Sequence, residues 1–448
     1  MSSTNSPEIV ITNGLVIPMV RDHEWLEGDV TVSGGRITSV GESHTPNDDS
    51  LTLDARGAAI LPGFVQAHVH VVQSLLRHQA DGLELLDWLR RRTWPYEAAL
   101  DGDGVETAAE LGIAELLCGG TTTALDFGTT HDHGRVFEAA QRLGIRLVSG
   151  KTHMDMGEDV PAALLEDPER SLVEAAELGA KWNGAAEGRL RYAVAPRFAL
   201  SCSPELLKGC SDLARENGWL LQTHACENRM EVEEVRRITG LDTIDYLADR
   251  GLVGPDVVLA HGVHLLPHEI ERLADTRTTI CHCPGANLKL GSGVADVPGL
   301  LEAGVRVALG ADGPPCNNRL SVFHEMSLAG TLPGLRQGPA ALGAWAVLAM
   351  ATREGAAALH LESEIGTLEA GKSADIVVLE TEDWSMLPGG DPASQIVFGA
   401  SAQMVRHVVV AGRPVVINGR LVTGDPEAIR LRVAEAWDST RHRMESTS

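Results

Sequence analysis

The stretch AAILPGFVQAHVH, residues 58–70, ends an apolar run on two histidines and decides the fold. In a β-strand, alternate side chains share a face, so His68 and His70 converge while Val69 points away. Two imidazoles in this arrangement are suited to bind one metal ion. Histidine pairs also occur in ordinary loops, so the pair indicates a metal site only if later residues complete it.

Three later polar residues end short apolar runs: His224 follows WLLQT, His261 follows VVLA, and Asp312 follows VRVALGA. Polar residues at the carboxyl ends of parallel strands are typical of a barrel whose active site lies at that end. Three imidazoles and one carboxylate leave a position open for water, as in a catalytic zinc site. His261 is either a fourth nitrogen ligand or a neighbour that orients the water. Alone, each residue is more simply a buried histidine or a helix cap; their common position favours a metal site.

The order of strand-like and helical segments predicts the architecture. Candidate barrel strands begin near Phe64, Thr121, Ile145, Arg191, Trp219, Val257, Thr278 and Val305. Helical patterns between them predict an α/β fold, a closed (β/α)8 barrel of the TIM type. Short apolar runs with Asn-Gly and Gly-Gly turns predict hairpins at both chain ends. We therefore predict a barrel over residues 61–361, a composite β-sandwich domain from residues 1–60 and 362–425, and a C-terminal helix over 426–448.

Composition excludes several classes of partner. The 448 residues carry a formal net charge of −25, which argues against binding to nucleic acid or an anionic membrane. The polar start at residues 1–7 lacks a signal-peptide pattern, and no apolar run has the length of a membrane span. The seven cysteines are scattered and odd in number, so we expect no disulfide framework. We expect a cytoplasmic homo-oligomer that acts on a small heterocyclic molecule.

These motifs together resemble the amidohydrolase superfamily, in the cytosine deaminase-like branch that includes guanine deaminases, triazine hydrolases and adenosine-type deaminases. The resemblance covers nearly the whole chain. It rests on LPG (61–63), GGTTT (119–123), THACE (223–227), LAH (259–261), HCP (282–284), LGADG (309–313) and GTLEAGKSAD (366–375). By this similarity, the metal ligands are His68, His70, His224 and Asp312. Glu227 is implied as the proton shuttle, and His261 as the residue that orients the water or the tetrahedral centre.

The resemblance also bears on the number and kind of metal ions. Relatives with two metals often carry a carbamylated lysine at the end of the fourth strand, and the run RYAVAP at 191–196 has none. We therefore expect one divalent ion, Zn²⁺ by preference, with Fe²⁺ or Mn²⁺ also compatible with nitrogen and carboxylate ligands. Lys151, on the third strand, is interpreted as a surface residue or one behind the site. The motif at 281–283, Cys-His-Cys, is interpreted as a buried strand end because no second cysteine pair accompanies it.

Two sets of residues point to different substrates. Gln73 and the pair Arg197 and Phe198 resemble the guanine deaminase pattern, in which an amide and a guanidinium grip the purine edge and a ring stacks on the base. Alternatively, Arg197 forms a strand-end salt bridge and Phe198 is core. Trp88 and Glu97 match positions that stack on adenine and hold ribose hydroxyls in adenosine-type deaminases. A tryptophan in an apolar helix is also often core.

The segment GADGPPCNNR at 310–319 resembles the 5′-deoxyadenosine deaminase group. His153 stands where this resemblance predicts a methionine, and we expect it near the pocket. The leading function is a metal-dependent aminohydrolase of an adenine nucleoside or related purine (5′-deoxyadenosine, methylthioadenosine or S-adenosylhomocysteine type), with ammonia released. The alternatives are deamination of guanine, 8-oxoguanine or a pterin, and hydrolysis of a triazine. A non-catalytic binding barrel and a cyclic-amide hydrolase are disfavoured, because all four candidate ligands and Glu227 are present.

Overall fold

Parallel strands form the central barrel of the computed structural model, which describes residues 8–447. The polar start at 1–7, interpreted above as lacking a signal peptide, lies outside the described residues, as does residue 448. In chain order the strands are β1 (Ile9–Val16), β2 (Leu26–Ser33), β3 (Arg36–Val40), β4 (Leu51–Asp54), β5 (Ala58–Pro62), β6 (Phe64–Val69), β7 (Thr121–Phe127), β8 (Arg146–Gly150), β9 (Thr152–His153), β10 (Leu190–Pro196), β11 (Leu220–Ala225), β12 (Val257–His261), β13 (Thr279–His282), β14 (Val307–Leu309), β15 (Ile376–Glu380), β16 (Val405–Val410), β17 (Arg413–Ile417) and β18 (Arg420–Leu421).

The barrel runs in the order β6-β7-β8-β10-β11-β12-β13-β14, with the short β9 beside β10. Every barrel strand begins within two residues of its predicted start, so the predicted barrel is confirmed. A parallel bridge between Val69 and Asp312 joins the first strand to the segment after the last, and the Asp312 N–H donates to the His68 carbonyl over 3.1 Å. A Cβ atom on Gly310 would lie 2.4 Å from that carbonyl oxygen, so this close approach requires glycine. Closure of the barrel thus brings His68 and Asp312 together.

Helices cover the outside of the barrel and link its strands. They are α1 (Leu85–Trp88), α2 (Trp94–Ala99), α3 (Gly102–Cys118), α4 (Gly134–Leu143), α5 (Pro168–Trp182), α6 (Pro204–Asn217), α7 (Arg229–Thr239), α8 (Thr243–Asp249), α9 (Pro267–Thr276), α10 (Pro284–Lys289), α11 (Val297–Glu302), α12 (Pro314–Asn317), α13 (Val322–Thr331), α14 (Gly334–Gln337), α15 (Ala344–Met350), α16 (Arg353–Ala358), α17 (Pro392–Ser394) and α18 (Pro426–Thr447). A π-helical turn at Leu89–Thr93 joins α1 to α2. Among residues 8–447, no helix combines the length and apolar character needed to cross a membrane.

Both chain ends contribute to a second sheet, as predicted. Its strand order is β18-β17-β16-β15-β5-β1-β2-β3, with β4 paired to β1. Strands β5 and β15 are antiparallel, with Ile376 opposite Pro62 and Glu380 opposite Ala58. The expected small β domain is therefore a single nine-stranded sheet built around this pairing. The domain boundaries, the oligomeric state and the cytoplasmic location stay predictions.

A buried ion pair joins the sheet to the barrel. Arg146, the first residue of β8, donates to Asp375 from Nη2 over 2.9 Å and from Nε over 3.1 Å. Both side chains are buried. Two parallel hydrogen bonds compensate the loss of hydration on both charges, which a single contact would do less well. The pair therefore fixes the start of β15 against the barrel.

Candidate metal centre and pocket

The polar residues predicted at the strand ends lie together. The ligand atoms of His68, His224, His261 and Asp312 are all within 4.8 Å of one another. Nε2 of His70 lies 3.2 Å from Nε2 of His224 and 3.3 Å from Oδ1 of Asp312. That oxygen is also 3.4 Å from Nε2 of His68. The five side chains thus form one cluster, as their common position at the carboxyl ends of barrel strands predicts.

The strands and their surroundings orient the imidazoles. Successive side chains of β11 point to opposite faces, so Leu220 and Leu221 pack into different buried clusters. His224 lies on the same face of the strand as Leu220. Nδ1 of His224 donates to the Arg197 carbonyl over 2.7 Å. Because a carbonyl only accepts, Nδ1 carries the proton and Nε2 presents its lone pair to the cluster. Nδ1 of His261 likewise donates to Oδ1 of Asn287 over 2.9 Å.

Burial sets the charges of these groups. It lowers the pKa of His68 to about 4 and that of His224 well below its usual value, so both imidazoles are neutral near pH 7. Burial alone would raise the pKa of Asp312, but the imidazoles of His68 and His70 hold it well below the usual range. Neutral nitrogens beside a carboxylate are the form in which these residues bind metals.

Unpaired atoms in the cluster also favour a cation. Nε2 of His68 and Nε2 of His261 are buried and have no hydrogen-bond partner. An unpaired buried polar atom costs roughly 1–3 kcal/mol, which a metal bond would offset. The nitrogen and carboxylate donors fit a divalent transition-metal ion. The expectation of a metal site is therefore supported by the chemistry of the residues themselves.

Glu227 lies beside the cluster, just after β11. Its Oε2 is 3.4 Å from Nε2 of His261, and its Oε1 is buried without a hydrogen-bond partner. Burial raises the pKa of Glu227 well above the usual value, and the negative charge of Asp312 adds to this effect. A carboxyl group with a raised pKa is able to hold and release a proton near neutral pH.

A pocket opens onto the cluster. Its lining residues are His70, Gln73, Leu85, Trp88, Leu89, Arg197, Phe198, His224, Glu227, Glu231, Leu290 and Asp312. Four of the five predicted substrate residues are among them. Oε1 of Gln73 and the indole Nε1 of Trp88 are buried with no hydrogen-bond partner, so each is free to bind a polar group of a ligand. Sequence reasoning missed the leucines and Glu231.

Glu97, the fifth predicted substrate residue, is not among the lining residues. Its carboxylate accepts hydrogen bonds from Nε2 of Gln73 over 2.9 Å and from Nη1 of Arg197 over 2.5 Å. Nη2 of Arg197 adds a third bond of 3.3 Å. Arg197 therefore forms the salt bridge considered above and also faces the pocket. If Glu97 also bound ribose hydroxyls, its carboxylate oxygens would have to accept those hydrogen bonds in addition to the ones from Gln73 and Arg197.

Two residues of the third strand region differ from expectation. Lys151 is fully buried, so its interpretation as a surface residue is wrong. Its ammonium pairs with Glu166 and, over 2.9 Å, with Glu174, which compensates the buried charge. His153 is buried, its Nδ1 lies 2.8 Å from the Ser171 hydroxyl, and it is not among the residues lining the pocket.

The comparisons with known proteins agree with this fold. The Amidohydrolase family model matches residues 59–415, and the chain belongs to this family. A 5-methylthioadenosine/S-adenosylhomocysteine deaminase of Symbiobacterium thermophilum is 38% identical over 438 residues, 96% of this chain and 98% of that protein. A 5′-deoxyadenosine deaminase of Methanothermobacter thermautotrophicus is 36% identical over 91% of this chain and 93% of its own. The zinc-bound crystal structure of an adenosine deaminase from Xanthomonas campestris, 29% identical, gives a TM-score of 0.91 and covers 97% of this chain and 99% of that one.

Proposed function

We propose that this chain is a metal-dependent aminohydrolase that deaminates an adenine nucleoside of the 5′-deoxyadenosine or methylthioadenosine type and releases ammonia. The observation that carries the proposal is Glu227, a buried carboxyl group with one unpartnered oxygen, placed between a histidine and aspartate cluster and the pocket. The names of relatives 36% and 38% identical over nearly the whole chain support the substrate class.

The metal ligands in this proposal are His68, His70, His224 and Asp312. A bound divalent ion, for which we propose Zn²⁺, supplies Lewis-acid activation of water. The zinc-bound adenosine deaminase of similar fold supports that choice. His261 is kept as the residue that orients the water, because its Nε2 lies 3.4 Å from Glu227 and 3.9 Å from Asp312 Oδ2.

The chemistry of the chain's own residues is proton transfer. Glu227 takes a proton from the attacking water and gives it to the ring nitrogen next to the reacting carbon. Oxygen bonds to that carbon, which becomes tetrahedral. Glu227 then carries the remaining proton of the added hydroxyl group to the amino group, the carbon–nitrogen bond breaks, and ammonia leaves as the oxo product forms. The raised pKa of Glu227 suits a group that must both accept and donate a proton.

Other residues hold the substrate. We assign stacking on the base to Trp88 and Phe198, and hydrogen bonds with its edge to Gln73. Leu85, Leu89 and Leu290 give the pocket an apolar wall, and its one cation, Arg197, is neutralised by Glu97. The carboxylate of a homocysteine substituent therefore finds no free cation among these lining residues, which favours 5′-deoxy and methylthio substituents.

The test is ammonia release by zinc-loaded protein from adenosine, 5′-deoxyadenosine, methylthioadenosine, S-adenosylhomocysteine, guanine, 8-oxoguanine, a pterin and a chlorotriazine. We expect the highest kcat/KM with 5′-deoxyadenosine or methylthioadenosine. Release from none of these compounds would overturn the proposal.

Deamination of guanine or a related oxopurine is the second candidate, and one observation favours it. Glu97 holds both Arg197 and Gln73, so a guanidinium and an amide face the pocket as a fixed pair. Such a pair suits the edge of an oxopurine, which offers several hydrogen-bond acceptors. Turnover of guanine or 8-oxoguanine without turnover of any nucleoside would select this candidate over the first.

A further inference from the structure

Glu231, in the first turn of α7, makes hydrogen bonds that a helix cap does not require. Its side chain is buried, and it accepts from three consecutive backbone N–H groups. Oε1 accepts from Cys226 over 3.2 Å, and Oε2 accepts from Glu227 over 2.8 Å and from Asn228 over 3.3 Å.

Helix capping accounts for only one of these bonds. In a capping box, the glutamate at the third helical position accepts from the N–H of the N-cap residue, here Asn228. That bond is the longest of the three, and the shortest goes to the residue before the cap. Helix α9 shows the ordinary case: Glu269 accepts from Leu266, and its other oxygen accepts from Ile244 of a different helix. The additional bonds of Glu231 converge on the turn that carries Glu227.

The turn needs this support. Cys226 has φ of +55°, a left-handed conformation that is unfavourable for residues other than glycine. The carboxyl group of Glu227 lies 3.4 Å from His261 and near the Ser292 hydroxyl, while its Oε1 has no hydrogen-bond partner, so the backbone of the turn contributes to the position of Glu227. Because a misplacement of about 1 Å can cost roughly 100-fold in rate, the backbone of this turn matters to turnover.

We propose that Glu231 is a positioning residue that clamps the turn at 226–228 and thereby aims Glu227 at the substrate. The inference rests on the proposed function, in which Glu227 transfers the protons. Glu231 lines the pocket but is not itself the proton shuttle, because both of its oxygens are occupied by N–H donors.

The test is Glu231→Gln, with Glu269→Gln as the matched control, since Glu269 is also a buried capping glutamate. We expect kcat of Glu231→Gln to fall about 10- to 100-fold, with KM within about twofold and metal content unchanged. The control should lose comparable Tm while keeping kcat. An unchanged kcat in Glu231→Gln, alongside an active parent protein, overturns the clamp alone; an inactive parent protein overturns the proposed function instead.

A double-mutant cycle separates positioning from a general structural effect. In the Glu227→Gln background, Glu231→Gln should leave the residual kcat unchanged, because the group that it positions is already disabled. An equal loss in both backgrounds would contradict the proposal. If Glu231→Gln fails to fold, hydrogen exchange of the parent protein decides: the Glu227 amide should exchange slowly, and rapid exchange at that amide would overturn the clamp.

Discussion

Replacing Glu227 with glutamine is the most informative single change. Glutamine keeps the size of the side chain but cannot accept and return a proton, so the change removes general acid–base catalysis and little else. Such catalysis contributes about 10²- to 10⁴-fold, equivalent to roughly 3–5 kcal/mol of the activation barrier. We therefore expect kcat of Glu227→Gln to fall by about that factor while the protein keeps its metal.

The fold of this variant should not suffer. Because burial raises the pKa of Glu227 above its usual 4.5, the native metal-free protein keeps a proton that the unfolded chain releases as pH rises. The free energy of unfolding of the parent protein, relative to that of Glu227→Gln, therefore falls as the pH rises above 4.5. At neutral pH, the variant should be at least as stable as the parent.

The assay is ammonia release under saturating nucleoside, with metal content measured on the same sample. Glu233→Gln, an exposed position on the following helix α7, serves as the control and should keep full activity. Near-normal turnover of Glu227→Gln would refute the role of Glu227. Loss of metal from this variant would instead make Glu227 part of the metal site.

Three further outcomes are expected. Removal of metal by a chelator should abolish turnover and lower Tm, and Zn²⁺ should restore both, because Nε2 of the proposed ligand His68 is buried with no hydrogen-bond partner in the protein; turnover by metal-free protein would contradict this. Burial raises the pKa of Glu325 to about 7. Between pH 4.5 and 7, the parent should therefore lose up to about 3 kcal/mol of unfolding free energy relative to Glu325→Gln, measured by urea unfolding. A difference between the two proteins that does not change with pH would contradict this prediction. Arg146→Ala should lower the free energy of unfolding by roughly 3–5 kcal/mol in the same assay, because it leaves Asp375 charged and buried. A loss below about 1 kcal/mol would show that the ion pair contributes little to stability.

The cluster at the strand ends was predictable because it depends on local rules. The two-residue period of a strand aligns His68 with His70, and the barrel places His224 and Asp312 at the same end. Polar residues that end apolar runs therefore suffice to predict that these side chains lie together. The resemblance added a role for Glu227, which spacing alone does not provide.

The partners of buried charged residues were not predictable in this way. Arg197 and Glu97 lie 100 positions apart, and only the fold shows that they form a salt bridge. Lys151 is buried because Glu166 and Glu174 reach it from a following loop and helix, which no local pattern reveals. The sequence Asn-x-x-Glu at 228–231 does predict a capping box, but the additional bonds to the turn before it depend on the left-handed backbone at Cys226.

The central claim is that the chain replaces a ring amino group with oxygen from water. The most direct measurement is the mass spectrum of the product after zinc-loaded protein acts on methylthioadenosine in ¹⁸O-labelled water, with ammonia measured in parallel. We predict one ammonia per product molecule, one ¹⁸O atom in the purine ring substituent, and intact glycosidic and thioether bonds. A product without label, or cleavage of the glycosidic bond, would contradict the claim.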